Sequence, residues 1–109
     1  FCKIVAGEIP SDFIYEDEEF IAFSDIQPQA PVHILIVPRE HIASVNELSE
    51  KNTLFIGRFI LLAKRLAEKE NIAQSGYRLV INCGSEGGQI VPHLHLHLIG
   101  GAKLSDRIG

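Results

Sequence analysis

The chain has 109 residues, 46% of them apolar and 22% charged, a composition that suits one soluble globular domain and leaves no room for a second. Ten Lys and Arg against fourteen Asp and Glu give a net charge of −4, the wrong balance for binding duplex nucleic acid. No apolar run approaches the roughly 20 residues of a membrane-spanning helix, so no membrane partner is expected.

In chain order, Phe13 to Glu16 and Phe20 to Ser24 read as short strands on either side of the acidic run Glu16-Asp17-Glu18-Glu19. Four adjacent carboxylates repel one another too strongly to converge on a cation, so this run reads as a solvated turn. Val32 to Val37 is a β-branched stretch bounded by Pro31 and Pro38, the third strand of a meander. Ser49 is placed to cap a helix running to about Asn71. On that helix Phe55, Ile56, Phe59, Ile60, Leu62, Ala63, Leu66 and Ala67 share one broad face, which should pack on the sheet. Leu54 and Leu61 project the other way beside Arg58 and Arg65, either as ordinary exposed leucines or as a dimer contact. Tyr77 to Asn82 and Pro92 to Ile99 supply two more strands, giving an α+β fold with about five antiparallel strands and one long helix. Two cysteines, Cys2 and Cys83, make no dense disulfide framework, which points to a reducing, cytoplasmic setting. With no methionine in the chain, the natural start is expected upstream of Phe1.

The most informative stretch is His93-Leu94-His95-Leu96-His97-Leu98. On a strand, a period of two would place three imidazoles on one face and three leucines on the other, with the leucines anchored in the core. Core packing has no use for three aligned imidazoles, so chemistry is expected here. Spacing alone leaves two chemistries open, a zinc site or a nucleophilic histidine with helpers. His33 adds a fourth imidazole from the apolar alternation Val32-His33-Ile34-Leu35. Just before the triple histidine, Asn82-Cys83-Gly84-Ser85-Glu86-Gly87-Gly88-Gln89 forms a glycine-rich turn whose backbone amides could approach an anion closely.

These residues carry a resemblance. Gly87-Gly88-Gln89-Ile90-Val91-Pro92-His93-Leu94-His95-Leu96-His97-Leu98-Ile99-Gly100-Gly101 resembles the signature of the histidine triad family, His-φ-His-φ-His-φ-φ with φ apolar. Asp25-Ile26-Gln27-Pro28-Gln29-Ala30-Pro31-Val32-His33 and Val37-Pro38-Arg39-Glu40-His41-Ile42 are similar to the family's other shared segments, in the same order, and Phe1 to Pro10 fits its usual opening. The resemblance therefore spans nearly all of residues 1–109 as one domain and implies the family's fold, with a short helix beside the long one. His97 in the third position, and the glycines flanking the triad, are similar to the bacterial type of the Hint branch, the purine nucleoside phosphoramidases. The nearer rival is the Fhit branch, which cleaves dinucleoside polyphosphates. A nucleotide-binding regulatory module with little turnover is the competing non-enzymatic expectation.

Carried over residue by residue, the resemblance makes His95 the nucleophile on the α-phosphorus and gives a covalent nucleotidyl-histidine that water hydrolyses. His97 would contact phosphate and leaving group, while His93 and His33 would orient the nucleophile through a hydrogen-bonded chain. Amides near Gly88 and Gln89 would hold the phosphate, and Asn82 resembles the family's active-site asparagine. Asp25 would accept from the ribose hydroxyls, and Ile4, Ile9, Phe23 and Ile26 would form an apolar slot for a purine base, adenosine or guanosine. The resemblance also implies a homodimer and catalysis without a metal cofactor. Ile90 departs from the pattern where many relatives carry a phosphate-binding serine, and Ala102 to Gly109 lacks the tryptophan of the animal proteins. Cys2 resembles the second half of a Cys-x-x-Cys pair that joins histidines matching His41 and His93 in a structural zinc site, with three of four ligands inside this chain; zinc is left open there and is not required.

Overall fold

The structure, a computed structural model, describes residues 12–106. Its strands are β1 (Phe13–Glu16), β2 (Phe20–Ser24), β3 (Val32–Pro38), β4 (Tyr77–Val80) and β5 (Leu96–Gly100), and its long helix is α1 (Thr53–Lys69). They form one antiparallel sheet in the order β1-β2-β3-β5-β4. The expected meander is therefore β1 to β3, and β5 enters the sheet between β3 and the edge strand β4.

The acidic turn is tied down by its own carboxylates. Asp17 Oδ1 accepts the backbone N–H groups of Glu19 and Phe20, each at 2.7 Å. Glu16 pairs with Arg39 at 3.1 Å, and Glu19 takes a two-pronged contact from Arg58 at 2.6 and 2.7 Å, which fastens the turn to α1. Glu16, Asp17 and Glu19 thus point to separate partners.

The helix starts later than the Ser49 cap suggested. Ser49 instead opens a single 3₁₀ turn, Glu50–Asn52, in which the Ser49 N–H donates to Asn52 Oδ1 at 2.9 Å and the Asn52 N–H donates to the Ser49 carbonyl at 2.9 Å. Another 3₁₀ turn, Val45–Glu47, precedes it, so the short helix implied by the resemblance is 3₁₀ in character. At the other end Asn71 adopts φ 61°, a left-handed turn that asparagine tolerates, and the Ile72 N–H returns to the Ala67 carbonyl.

One face of the sheet and one stripe of α1 make the main core. Phe59, Leu62, Ala63, Leu66 and Ala67 pack with Phe20, Ile34, Ile36, Leu96 and Leu98. Ile60, expected on this face, lies at its margin and is exposed, because the contact stripe is narrower than the apolar arc of the sequence. Leu54 and Leu61 are exposed, at 77% and 56%. The opposite face of the sheet carries a smaller cluster, Ile21, Phe23, Leu35 and Val37, edged by Phe13.

Both strands near the histidines are shorter than expected. β4 stops at Val80 and β5 begins at Leu96, so Ile81–Asn82 and Pro92–His95 lie outside the ladder. Pro92 has no N–H to donate, and the turn that precedes it satisfies its hydrogen bonds internally. The period-two expectation consequently fails for His93, which sits on irregular backbone.

Candidate active site

β3 and β5 position the first pair of imidazoles. Leu35 is paired with His97 and His33 with Ile99, so His33 and His97 are diagonal neighbours on the face away from α1. The cross-sheet row Phe23, Leu35, His97, Val80 puts apolar side chains around this pair. His33 is buried and His97 half-buried, and their rings lie 5.2 Å apart.

Hydrogen-bond partners assign the protons. The Gln29 backbone N–H donates to His33 Nδ1 at 3.0 Å, so the His33 proton resides on Nε2. His33 Nε2 lies 2.9 Å from His97 Nδ1, so it donates there, and the His97 proton resides on its own Nε2. Burial, with His95 and then His33 nearby, lowers the His97 pKa to about 4, while Asp25 opposes the shift. His97 is therefore a neutral donor at pH 7. Asp25 Oδ2 approaches His33 Nε2 at 3.5 Å, and Asp25 Oδ1 accepts the Gln27 N–H at 2.8 Å.

His95 is set differently. Its Nδ1 lies 2.7 Å from the His93 carbonyl, which can only accept, so Nδ1 bears the proton and Nε2 is the lone-pair nitrogen. The His95 ring meets the His97 ring edge-on at 5.0 Å. His33, His97 and His95 thus form one continuous group.

The His93 ring is bonded elsewhere, although His95 lies close enough to disfavour its charge. Its Nε2 donates to the Pro38 carbonyl at 2.9 Å, and its Nδ1 lies 3.3 Å from His41 Nδ1. Burial, followed in the same direction by His41, holds the His93 pKa below its ordinary value, although the Pro38 bond favours the charged form. The sequence expectation has this imidazole join His33 in orienting the nucleophile; in the structure the group of residue 93 that bonds His95 Nδ1 is its backbone carbonyl. Pairing patterns of side chains give no hint of a carbonyl's role.

The glycine-rich turn is also rearranged relative to expectation. Gly84 and Gly88 take φ of 73° and 85°, which glycine alone adopts at little cost, and a side chain on Gly87 would collide with the Cys83 carbonyl. The Gly88 N–H donates to the Ser85 carbonyl at 3.1 Å and the Gln89 N–H to the Gly84 carbonyl at 3.0 Å. These two amides are consumed by the turn and are not presented to an anion. Asn82 Nδ2 braces the same turn through the Gly87 carbonyl at 2.8 Å. Both ends of the Gln89 side-chain amide are occupied too: Oε1 accepts the Gly84 N–H, and Nε2 donates to the carbonyls of Ala43 and Val91.

Of the expected base slot, Phe23 is buried among Ile21, Leu35 and Val37, whereas Ile26 is 95% exposed at the rim beside Asp25. Ile4 and Ile9 lie outside the described residues, as does Cys2. Sequence reading missed the backbone groups of Gln29 and Pro38; the turn-forming Pro28-Gln29-Ala30-Pro31 was the sole signal for the first.

A metal reading of the site has one geometric basis. Ligand atoms of Asp25, His33 and His97 lie within 4.8 Å of one another. Coordination through His33 Nε2 would require its proton to move to Nδ1, directly against the Gln29 N–H. The tautomer that the backbone imposes favours a hydrogen-bonded relay over a chelate.

Among known proteins, the HIT domain family matches residues 6–104. The purine nucleoside phosphoramidase of Escherichia coli (strain K12) is 50% identical over 104 residues, 95% of this chain and 87% of the relative. A crystal structure of a HIT family hydrolase from Legionella pneumophila superposes with a TM-score of 0.97 at 46% identity, covering 100% of this chain and 97% of that one. A zinc-bound histidine triad family protein from Mycobacterium smegmatis has a TM-score of 0.79 at 33% identity, covering 98% and 79%.

Proposed function

The chain belongs to the HIT domain family, and on that premise we propose that this hydrolase cleaves the P–N bond of purine nucleoside 5′-phosphoramidates through a nucleotidyl-His95 intermediate. The observation that carries the proposal is the 2.7 Å bond from His95 Nδ1–H to the His93 carbonyl, which turns a lone pair onto Nε2. In the first step that lone pair attacks the α-phosphorus, the P–N bond breaks, and the departing nitrogen takes a proton from water to leave as amine. The imidazole becomes cationic as it is phosphorylated, so its bond to the His93 carbonyl strengthens on the way to the transition state. In the second step water attacks phosphorus and gives up a proton, which neutralises the hydroxide left by the first step, the N–P bond breaks with its electrons returning to the imidazole, and nucleoside monophosphate is released with neutral His95 restored.

His97 presents an Nε2–H to a phosphoryl oxygen or to the leaving group, and the His33 bond on its other nitrogen keeps that proton in place. Asp25 and Ile26 suit the ribose hydroxyls and the base, with buried Phe23 nearby in sequence; Ile4 and Ile9, which lie outside the described residues, are assigned to the slot by the family resemblance alone. Asn82, Gly88 and Gln89 contribute by fixing the turn that leads into the triad.

Nothing in this scheme needs a metal. A structural zinc would suit a different place: His93 donates through Nε2 to Pro38, which leaves Nδ1 as a lone-pair nitrogen 3.3 Å from His41 Nδ1, and Cys2 would be the third ligand. Zinc held there would fasten the segment after β3 to His93 and would take no part in bond cleavage. A homodimer also belongs to this reading. β4 is an edge strand with one neighbour among the described residues, and Leu54 and Leu61 are apolar and exposed. The paucity of cysteines makes the setting cytoplasmic in this reading, and no helix among the described residues is long and apolar enough to cross a membrane.

The test is hydrolysis of adenosine 5′-phosphoramidate by chelator-treated protein, wild type beside His95→Ala, with mass spectrometry of acid-quenched enzyme. Metal-free turnover with a nucleotidyl adduct on His95 is the expected result. Activity that survives His95→Ala, or that vanishes with the chelator, overturns it. A dinucleoside polyphosphate run in parallel fixes the substrate class.

A further inference from the structure

The segment Ile90–His95 delivers both the nucleophile and the carbonyl that sets its tautomer, yet it lies in neither helix nor strand. Its position must come from individual hydrogen bonds. Two anchors hold it against the neighbouring segment after β3. At its C-terminal end the Leu94 N–H donates to the Ile42 carbonyl at 2.6 Å. At its N-terminal end Gln89 Nε2 reaches the Ala43 carbonyl at 2.7 Å and the Val91 carbonyl at 3.0 Å, while Gln89 Oε1 accepts the Gly84 N–H at 2.9 Å. The Val91 carbonyl also accepts the His93 N–H at 2.8 Å, so the group that Gln89 holds is bonded directly to residue 93.

We infer that Gln89 is a positioning residue for the nucleophile: its side-chain amide staples three stretches of backbone and thereby aims the His93 carbonyl at His95 Nδ1. The inference rests on the function proposed above. With both ends of the amide occupied, Gln89 acts through the backbone without touching the nucleotide. Losing the Nε2 donor frees Val91 to pivot about the Leu94 anchor, and the His93 carbonyl moves off the Nδ1–H. The Nε2 and Nδ1 tautomers of His95 then compete, which removes the lone pair from the attacking nitrogen in part of the population. Glutamine is the side chain required, because the contact demands two N–H donors and one acceptor at one reach.

Two variants test this. Gln89→Glu keeps the acceptor toward Gly84 but turns an oxygen onto two carbonyls, and Gln89→Met keeps length without polar groups. Both are expected to lower kcat for adenosine 5′-phosphoramidate by about 10- to 100-fold, with KM within about threefold, as removal of a positioning contact does. Nitrogen-15 NMR of the histidine rings, without substrate, is expected to show His95 protonated at Nδ1 in the wild type and as a mixture of tautomers in both variants. A large rise in KM with kcat unchanged would make Gln89 a substrate contact, and wild-type kinetics or an unshifted His95 tautomer would likewise overturn the inference. If Gln89→Met does not fold, Gln89→Glu carries the test. Should the wild type fail to turn over the phosphoramidate, the proposed reaction falls while the ring spectra still decide the role of Gln89.

Discussion

Two pairs of imidazoles lie side by side in this molecule and do different things. His33 and His97 have rings 5.2 Å apart and share a nitrogen contact of 2.9 Å; His41 and His93 have rings 5.1 Å apart and a contact of 3.3 Å. Ring separation does not distinguish them. The difference is the partner of each second nitrogen. The Gln29 amide donates to His33, which donates in turn to His97 Nδ1 and so leaves the His97 proton on Nε2. The Pro38 carbonyl accepts from His93, which points the lone pair inward at His41 and fastens the chain. In a row of histidines, the backbone group behind each ring decides which nitrogen carries the proton.

That contrast can be broken by mutation. The largest effect is expected from His95→Ala, with kcat/KM falling by at least about 10³-fold, alongside a loss of about 1–3 kcal/mol in stability because the ring is buried and bonded to the His93 carbonyl. Steady-state kinetics beside a thermal melt checks both. His33→Ala is expected to cost about 10- to 100-fold in kcat, because His97 loses the donor that keeps its proton on Nε2. His93→Ala should show a different profile, a loss of about 1–3 kcal/mol in stability from the orphaned Pro38 carbonyl and the cavity, with a smaller loss of kcat. His33 is buried too, so both variants are expected to lose stability, and equal losses of kcat in His33→Ala and His93→Ala would erase the distinction.

Acid sharpens it further. The folded state holds His97 at about 4 and depresses His93 as well, so between the unfolded value near 6.5 and that lower value the unfolded chain binds more protons. Stability should therefore fall as pH drops from about 6.5 toward 4. His97→Gln should flatten the slope, as read from denaturant midpoints at each pH. The smallest effect belongs to the helix surface: Leu54→Glu with Leu61→Glu should leave the fold intact, within about 0.5 kcal/mol per site in the monomer. Analytical ultracentrifugation is expected to show the wild type as a homodimer and the doubly substituted chain as a monomer; a wild-type monomer would overturn the proposed homodimer, and a dimer unchanged by the substitutions would remove these leucines from its interface.

Much of this was legible before any coordinates. The β-branched and alternating runs marked β1, β2 and β3 nearly to the residue, because burial on a pleated sheet writes a period of two. The triad motif and the flanking segments named the family, and the exposed leucines stood out on the helical wheel. Local pattern was a poorer guide at the ends of α1 and β5, where 3₁₀ turns and a proline interrupt the regular ladder.

The sequence by itself determined which side chains are available for chemistry and put His93, His95 and His97 on one surface, of which the His95 and His97 rings are seen in contact. Only the tertiary structure decided that the His93 ring turns away, that its carbonyl and the Gln29 amide set the tautomers, and that the Gly88 and Gln89 amides fold back into their own turn. The reason is physical. Every residue has much the same backbone donors and acceptors, so their partners leave no mark on residue type and emerge only when distant segments are brought within hydrogen-bond reach.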